Sequence, residues 1–193
     1  MAATEPIRDK NNVGKMADYY LKKGQLRNYV MVIMGVHTAL RISDLLRLTW
    51  DDVYDFDAKR FRSHIHIIEK KTGKSKTVAL NNEVIRALRL FAKSTDKQGR
   101  GRFLFETNRK GRAAISRIQA YRLIREAAKA VGIHGCISCH SLRKTFGYHA
   151  WKKGVPVAVI MDIYNHSSFE VTRRYLGVCQ DDRDQVYINM SFT

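Results

Sequence analysis

Residues 135 to 151 read GCISCHSLRKTFGYHAW, and two overlapping arrangements within them could do chemistry. Cys136, Cys139 and His140 have the C-x-x-C-H spacing of covalent haem attachment. Such attachment needs export, and the first twenty residues, MAATEPIRDKNNVGKMADYY, contain no apolar stretch that would direct it. Zinc held by the two cysteines and two histidines lacks a second close ligand pair. Three cysteines are an odd number, so reduced thiols without a disulfide framework are expected. The other arrangement is His140-x-x-Arg143. On a helix, residues three apart share a face, so the imidazole and the guanidinium can act together.

The charge points to a polyanionic partner. There are 35 Lys and Arg against 18 Asp and Glu, a formal net charge of +17. The excess is uneven, as a merely solubilising surface need not be. Residues 59 to 76 hold seven basic groups and one acid, Glu69, and residues 97 to 125 hold nine and one acid, Glu106. The tail around Asp181, Asp182 and Asp184 is acidic instead. With no lipidation motif, basic amphipathic terminal helix or span of membrane length, this pattern favours nucleic acid over membrane and a soluble, intracellular chain. No Gly-rich phosphate loop, dinucleotide fingerprint or calcium loop is present.

The elements that must position these groups follow from periodicity. Helical spacing predicts helices over 12 to 23, 26 to 38 and Ile42 to Leu48. RSHIHIIEKKTGKSKTVAL then switches to a period of two: Ile65 and Ile67 share a face, Thr72-Gly73 turns, and Val78 and Leu80 resume. This is a β-hairpin with lysines at its tip. TWDDVYDFDAKRF is expected to add a third antiparallel strand. Further helices are predicted from Asn82 to Lys93, Ser116 to Val131, Ser138 to Lys153 and Pro156 to Tyr164, with a last one opened by a capping box at Ser167 to Glu170 and ended by Gly177. The apolar segment Val186 to Phe192 can pack on its own core or on a neighbour's. The fold class is α+β, mostly helical with a small antiparallel β-sheet, in one domain over 1 to 193.

Set in chain order, TALRISDLLRLTW, EKKTGK, CHSLRKTFGYHAWKKG and YNHSSFEVTRRYLG resemble the tyrosine recombinase (phage integrase) family over nearly the whole chain. The resemblance implies site-specific DNA recombination by a metal-independent catalytic domain, with Tyr175 as nucleophile and Arg41, Arg143, His140, His166 and Lys71 as the other catalytic residues. Asp44 supports the site. No cofactor or metal is implied. The implied partners are double-stranded DNA and further copies of the chain in a synaptic tetramer, in a bacterial or phage-encoded cytoplasmic protein. Lys71 is favoured by the K-T-G pattern, with Lys70, Lys74 and Lys76 as competitors. The rival readings are a catalytically silent DNA-binding accessory and topoisomerase IB-like relaxation.

Strand exchange by a tyrosine has needs of its own. A phenol of pKa about 10 must lose its proton as it attacks, so cations and a base must be close. The pentacoordinate transition state gathers charge on its non-bridging oxygens, which suits fixed guanidinium groups such as Arg41 and Arg143. The departing 5′-oxygen wants an acid, for which Lys71 is the candidate. His140 is the better base candidate and His166 a hydrogen-bond donor. Taken singly each group has a structural rival: a tyrosine at a helix end usually packs, and Arg41 and Arg143 could pair with Asp44 or Asp162. The chain departs from the family in three ways. Tyr164-Asn165 stands before His166 in place of Leu-Gly, Ala39 replaces Gly before Leu40-Arg41, and the N-terminal DNA-binding domain of full-length members has no counterpart, as in a catalytic-domain piece or a short member.

Overall fold

The computed structural model describes residues 4–95, 98–107 and 113–192. Lys97, Arg109, Lys110 and Arg112 of the second basic stretch lie outside the described residues. The fold is built around α2 (Leu26–His37), whose residues Val30 to Met34 are all buried. Helices α1 (Lys10–Lys22), α5 (Asn82–Ser94) and α7 (Cys139–Lys152) pack against it. A helix apolar on nearly every face is stable only in the interior, which explains its central place. Trp50 and Phe91, with ring centroids 5.4 Å apart, fill the far side of this core.

Several helices begin where a side chain takes an otherwise unpaired amide. Asp9 accepts from the Asn11 amide at 2.8 Å, Asn81 from Val84 at 3.0 Å, and Ser116 from Gln119 at 3.2 Å at the head of α6 (Arg117–Ala130). Ser138 caps α7. At α9 (Phe169–Leu176) the cap is Ser168, which accepts from Val171, while Glu170 pairs along the helix with Arg174. The expected capping box from Ser167 to Glu170 is therefore replaced by a single cap one residue later.

The expected helix from Ile42 to Leu48 is shorter: α3 covers Ile42–Leu45, and α4 follows at Trp50–Val53. The third strand also differs from expectation. Thr49 and Asp52 form a reciprocal capping box that winds residues 50 to 53 into a helical turn. Asp55 then accepts from the amides of Asp57 and Ala58, so the chain folds back on itself. The result is a separate pair of two-residue strands, β1 (Tyr54–Asp55) and β2 (Arg60–Phe61). The lysine hairpin is a second sheet, β3 (His64–Ile68) antiparallel to β4 (Ser75–Ala79), in the register Ile65↔Val78 and Ile67↔Lys76.

A smaller apolar cluster of Ala39, Ile160, Tyr164 and Leu176 joins the turn after α2 to α7, α8 (Val157–Tyr164) and α9. This cluster underlies most of the residues expected to be catalytic. The C-terminal helix α10 (Gln180–Asn189) has no buried residue. Its Asp182 is tied to Lys152 at 2.5 Å and to Arg8 at 3.8 Å, while Val186, Tyr187 and Ile188 are 59%, 80% and 73% exposed. Among the described residues no helix is long and apolar enough to cross a membrane.

Candidate active site

The six proposed catalytic side chains come from four segments up to 134 residues apart, Arg41 to Tyr175, and five of them converge over the small cluster. Arg143 stands one turn into α7 and is 1% exposed. Its Nη1 donates to the Ala39 carbonyl, and its Nη2 donates to the Tyr164 carbonyl at 2.9 Å. The Tyr164 ring lies beneath it, 4.5 Å from the guanidinium carbon, and the Tyr164 hydroxyl donates to the Arg143 carbonyl at 2.6 Å. Tyr164 therefore grips both ends of this arginine.

Two positions at which the sequence departs from the pattern it resembles have an unusual backbone. Ala39 has φ of +53° and Asn165 φ of +53°, the left-handed region where glycine is the easy choice. At a non-glycine residue this costs about 1–2 kcal/mol, less for Asn. At Ala39 the strained turn aims its carbonyl at Arg143. At Asn165 it ends α8, and the side chain donates to the Ser75 carbonyl of β4 at 3.4 Å.

Arg41 caps the start of α3 and meets Glu69 at 2.6 Å, with 12% and 0% of the two side chains exposed. Burial pushes the Glu69 carboxyl up, but the Thr72 hydroxyl and Arg41 outweigh it and hold the group below the usual carboxylate range. Asp44, also buried, accepts from the Lys70 amide at 2.9 Å. Two carboxylates thus tie the root of the lysine hairpin to the Arg41 segment. Glu69 was not foreseen as a site residue; its being the lone acid in a basic stretch was the available signal.

His166 follows Asn165, and its Nδ1 lies 3.0 Å from the Thr172 hydroxyl. Burial, then Arg143 and Arg41, lower its pKa to about 4. The ring is neutral at physiological pH, and when Thr172 donates to Nδ1 the ring proton sits on Nε2 as a donor. Tyr175, half-buried on α9, stacks at a tilt 4.8 Å from the His166 ring and 5.2 Å from Tyr164, with the Arg143 guanidinium 5.7 Å and the Lys144 ammonium 5.8 Å from its centroid. His140 opens to solvent at the head of α7. The packed wall beneath it, and then Arg143, Lys144, Lys71 and Arg41, keep its pKa below 6.5. Lys71 stands outside this packed group, exposed on the turn between β3 and β4.

The arrangement has a concentrated deficit of hydrogen bonds. Among the described residues, five buried side-chain atoms lack a partner: Arg41 Nη1, Asp44 Oδ2, Glu69 Oε1, Arg143 Nε and Trp50 Nε1. Four of the five are here. The 2.6 Å contact of Arg41 with Glu69 is bent, so it neutralises charge without satisfying either atom directionally. An unsatisfied buried donor costs about 1–3 kcal/mol. Two buried guanidinium groups close enough to repel each other, with only one carboxylate paired to them, are suited to an anion.

Cys139 is the first residue of α7, and burial pushes its thiol up to about 11, away from the thiolate that metal ligation needs. Among the described residues no group of three or more His, Cys, Asp or Glu is placed to hold a metal.

The phage integrase family profile matches residues 8–181. The probable integrase/recombinase YoeC of Bacillus subtilis is 36% identical over 187 residues, 97% of each chain. The crystal structure of XerA recombinase superposes with a TM-score of 0.76 at 22% identity, covering 100% of this chain and 66% of that one. XerH, solved as a post-cleavage complex with its palindromic difH substrate, gives a TM-score of 0.75 at 19% identity over 94% of this chain and 51% of that one. The chain spans about half the length of the curated Xer recombinases it matches.

Proposed function

Because the chain belongs to the phage integrase family, we propose that it breaks and rejoins DNA strands as a tyrosine recombinase, with Tyr175 as nucleophile and residues 1 to 193 acting as one catalytic domain. The observation that supports this reading is the convergence of two buried guanidinium groups, Arg41 and Arg143, with the His166 and Tyr175 rings.

In the forward step the Tyr175 oxygen attacks phosphorus and the bond from phosphorus to the 5′-oxygen breaks. The phenolic proton passes to His140, whose lowered pKa keeps it neutral and able to accept. The 5′-oxygen takes a proton from the hairpin, where Lys71 is the exposed donor. Arg41 and Arg143 hold the non-bridging oxygens, and the neutral His166 donates to one of them. Asp44 acts indirectly, by fixing the Lys70 backbone and so the base of the turn. The 3′-phosphotyrosyl link stores the energy of the broken bond, so a 5′-hydroxyl from another strand reseals it by the reverse path.

Double-stranded DNA is the substrate, held by the basic surface, and the cytoplasm is the proposed location. The exposed apolar residues of α10 are the proposed contact with a second copy in assembly on DNA. The test uses supercoiled plasmid in EDTA with detergent trapping. Wild-type protein should give covalent protein–DNA adducts, and Tyr175→Phe should bind DNA with the same salt dependence yet give none. Adducts persisting in Tyr175→Phe refute the assignment. Binding without adducts in the wild type favours a silent accessory.

A further inference from the structure

The lysine hairpin carries Lys70, Lys71, Lys74 and Lys76, of which the first three are exposed and Lys76 is half-buried. Strand alternation is the cause. Val78 is buried against Ile65, and two residues back on the same face Lys76 is paired with Ile67, which packs on the main core. The ammonium reaches across to the Ala39 carbonyl at 3.4 Å, the same oxygen that accepts from Arg143. One residue earlier, the Ser75 carbonyl takes the Asn165 side chain. Strand β4 is therefore latched at one point between the turn that precedes Arg41 and the turn that precedes His166.

We propose that Lys76 is a further residue of the phosphate pocket, a cation that acts with Arg41 and Arg143 on the scissile phosphate and makes the seating of the hairpin on Ala39 a condition for cleavage. This rests on the recombinase reading of the site. The hairpin then delivers two lysines with different duties: Lys71 from the exposed turn as proton donor, and Lys76 from the strand as a fixed positive charge. The groups facing Lys76 are Arg143 from α7, Arg41 and Asp44 from the segment around α3, and Glu69 from the hairpin, with His166 close enough to feel its charge. Burial, then Arg143, pull its pKa to about 8, against the smaller opposing pull of Glu69. A phosphate in the pocket adds negative charge, favours the ammonium and raises that value.

The test has two arms. In the first, carbon-13-labelled lysine side chains are titrated by NMR, with Lys76 assigned by the signal lost in Lys76→Arg, and inorganic vanadate serves as the phosphate probe. A Lys76 midpoint near 8 that moves up with vanadate supports the proposal; a midpoint that stays put while the His166 ring signals respond overturns it. In the second arm, plasmid adduct formation is followed against pH. Lys76→Met should be at least about tenfold slower at an unchanged urea midpoint. Lys76→Arg should recover most of the rate and move the alkaline limb of the wild-type profile upward, which a purely structural lysine would not do. Wild-type rates in Lys76→Met overturn the proposal. If the wild type forms no adduct, the recombinase reading fails, and the vanadate titration still decides whether Lys76 belongs to an anion pocket.

Discussion

A β-carbon on Gly147 would stand in hard contact with the Tyr164 hydroxyl and 3.0 Å from ring atoms Cε2 and Cζ. Gly147 lies on α7 one turn beyond Arg143, and Tyr164 is fully buried, so the ring has no free space to move into. Overpacking of this kind costs about 1–3 kcal/mol. Tyr164→Phe alone loses the bond to the Arg143 carbonyl, which remains the α7 helix acceptor, for about 1 kcal/mol. If the two changes were independent, the double variant would lose about 2–4 kcal/mol. They are not independent, because Phe removes the oxygen that the new methyl strikes. The ring carbons at 3.0 Å keep some strain, so Gly147→Ala with Tyr164→Phe should cost roughly 1–2 kcal/mol, a coupling of at least about 1 kcal/mol. Urea midpoints at constant slope measure all four corners of this cycle. Additivity within about 0.5 kcal/mol would refute the claim that Gly147 exists to admit Tyr164. The adduct assay reads the same geometry: Gly147→Ala should lose activity through displacement of Arg143, and the double variant should regain part of it.

Glu69→Gln keeps shape and the Thr72 contact but leaves Arg41 buried without its counter-charge, and should lower stability by about 2–4 kcal/mol. Thermal melts with and without a DNA duplex should then show a larger DNA-induced gain in the variant than in the wild type, and equal melting of the two free proteins would count against the pairing. Stability should also decline on mild acidification. His166, His140, His149 and His37 all have folded pKa values below 6.5, so the unfolded chain binds more protons as pH falls below about 6.5 toward 4. Asp182, held at about 2 by Lys152 and the Cys179 amide against the effect of burial, contributes in a separate window below about 4. A melting temperature that is flat from pH 7 to 5 would show that the histidines are not desolvated as described.

What could be read from residues alone was local. Ser138, Ser116 and Gly177 mark helix ends through bonds to neighbours within a few positions, and the helices begin and end close to where these residues predict. The placement of His140 and Arg143 on one helix face follows from helix pitch, and the ordered set around Arg41 and Tyr175 is enough to point to the family. What escaped depends on segments that meet only in space. The strand expected after Thr49 became a separate hairpin because the Asp52 cap and the Asp55 turn close within themselves. Gly147 fits against Tyr164 across 17 positions, and Glu69 pairs with Arg41 across 28. Neither partnership leaves a periodic trace. Lys76 is different, because its orientation was within reach. The alternation through Val78 and Leu80 was already visible, and a β-strand turns the same face inward every second residue. Two steps back from Val78 is Lys76. A register that buries Ile65 against Val78 must turn that lysine toward the core side, and a slip of one residue would send it to solvent. The same apolar pair that seats the hairpin therefore also decides which of its lysines is desolvated, and a desolvated lysine beside two arginines is the one whose charge a phosphate can most strongly control.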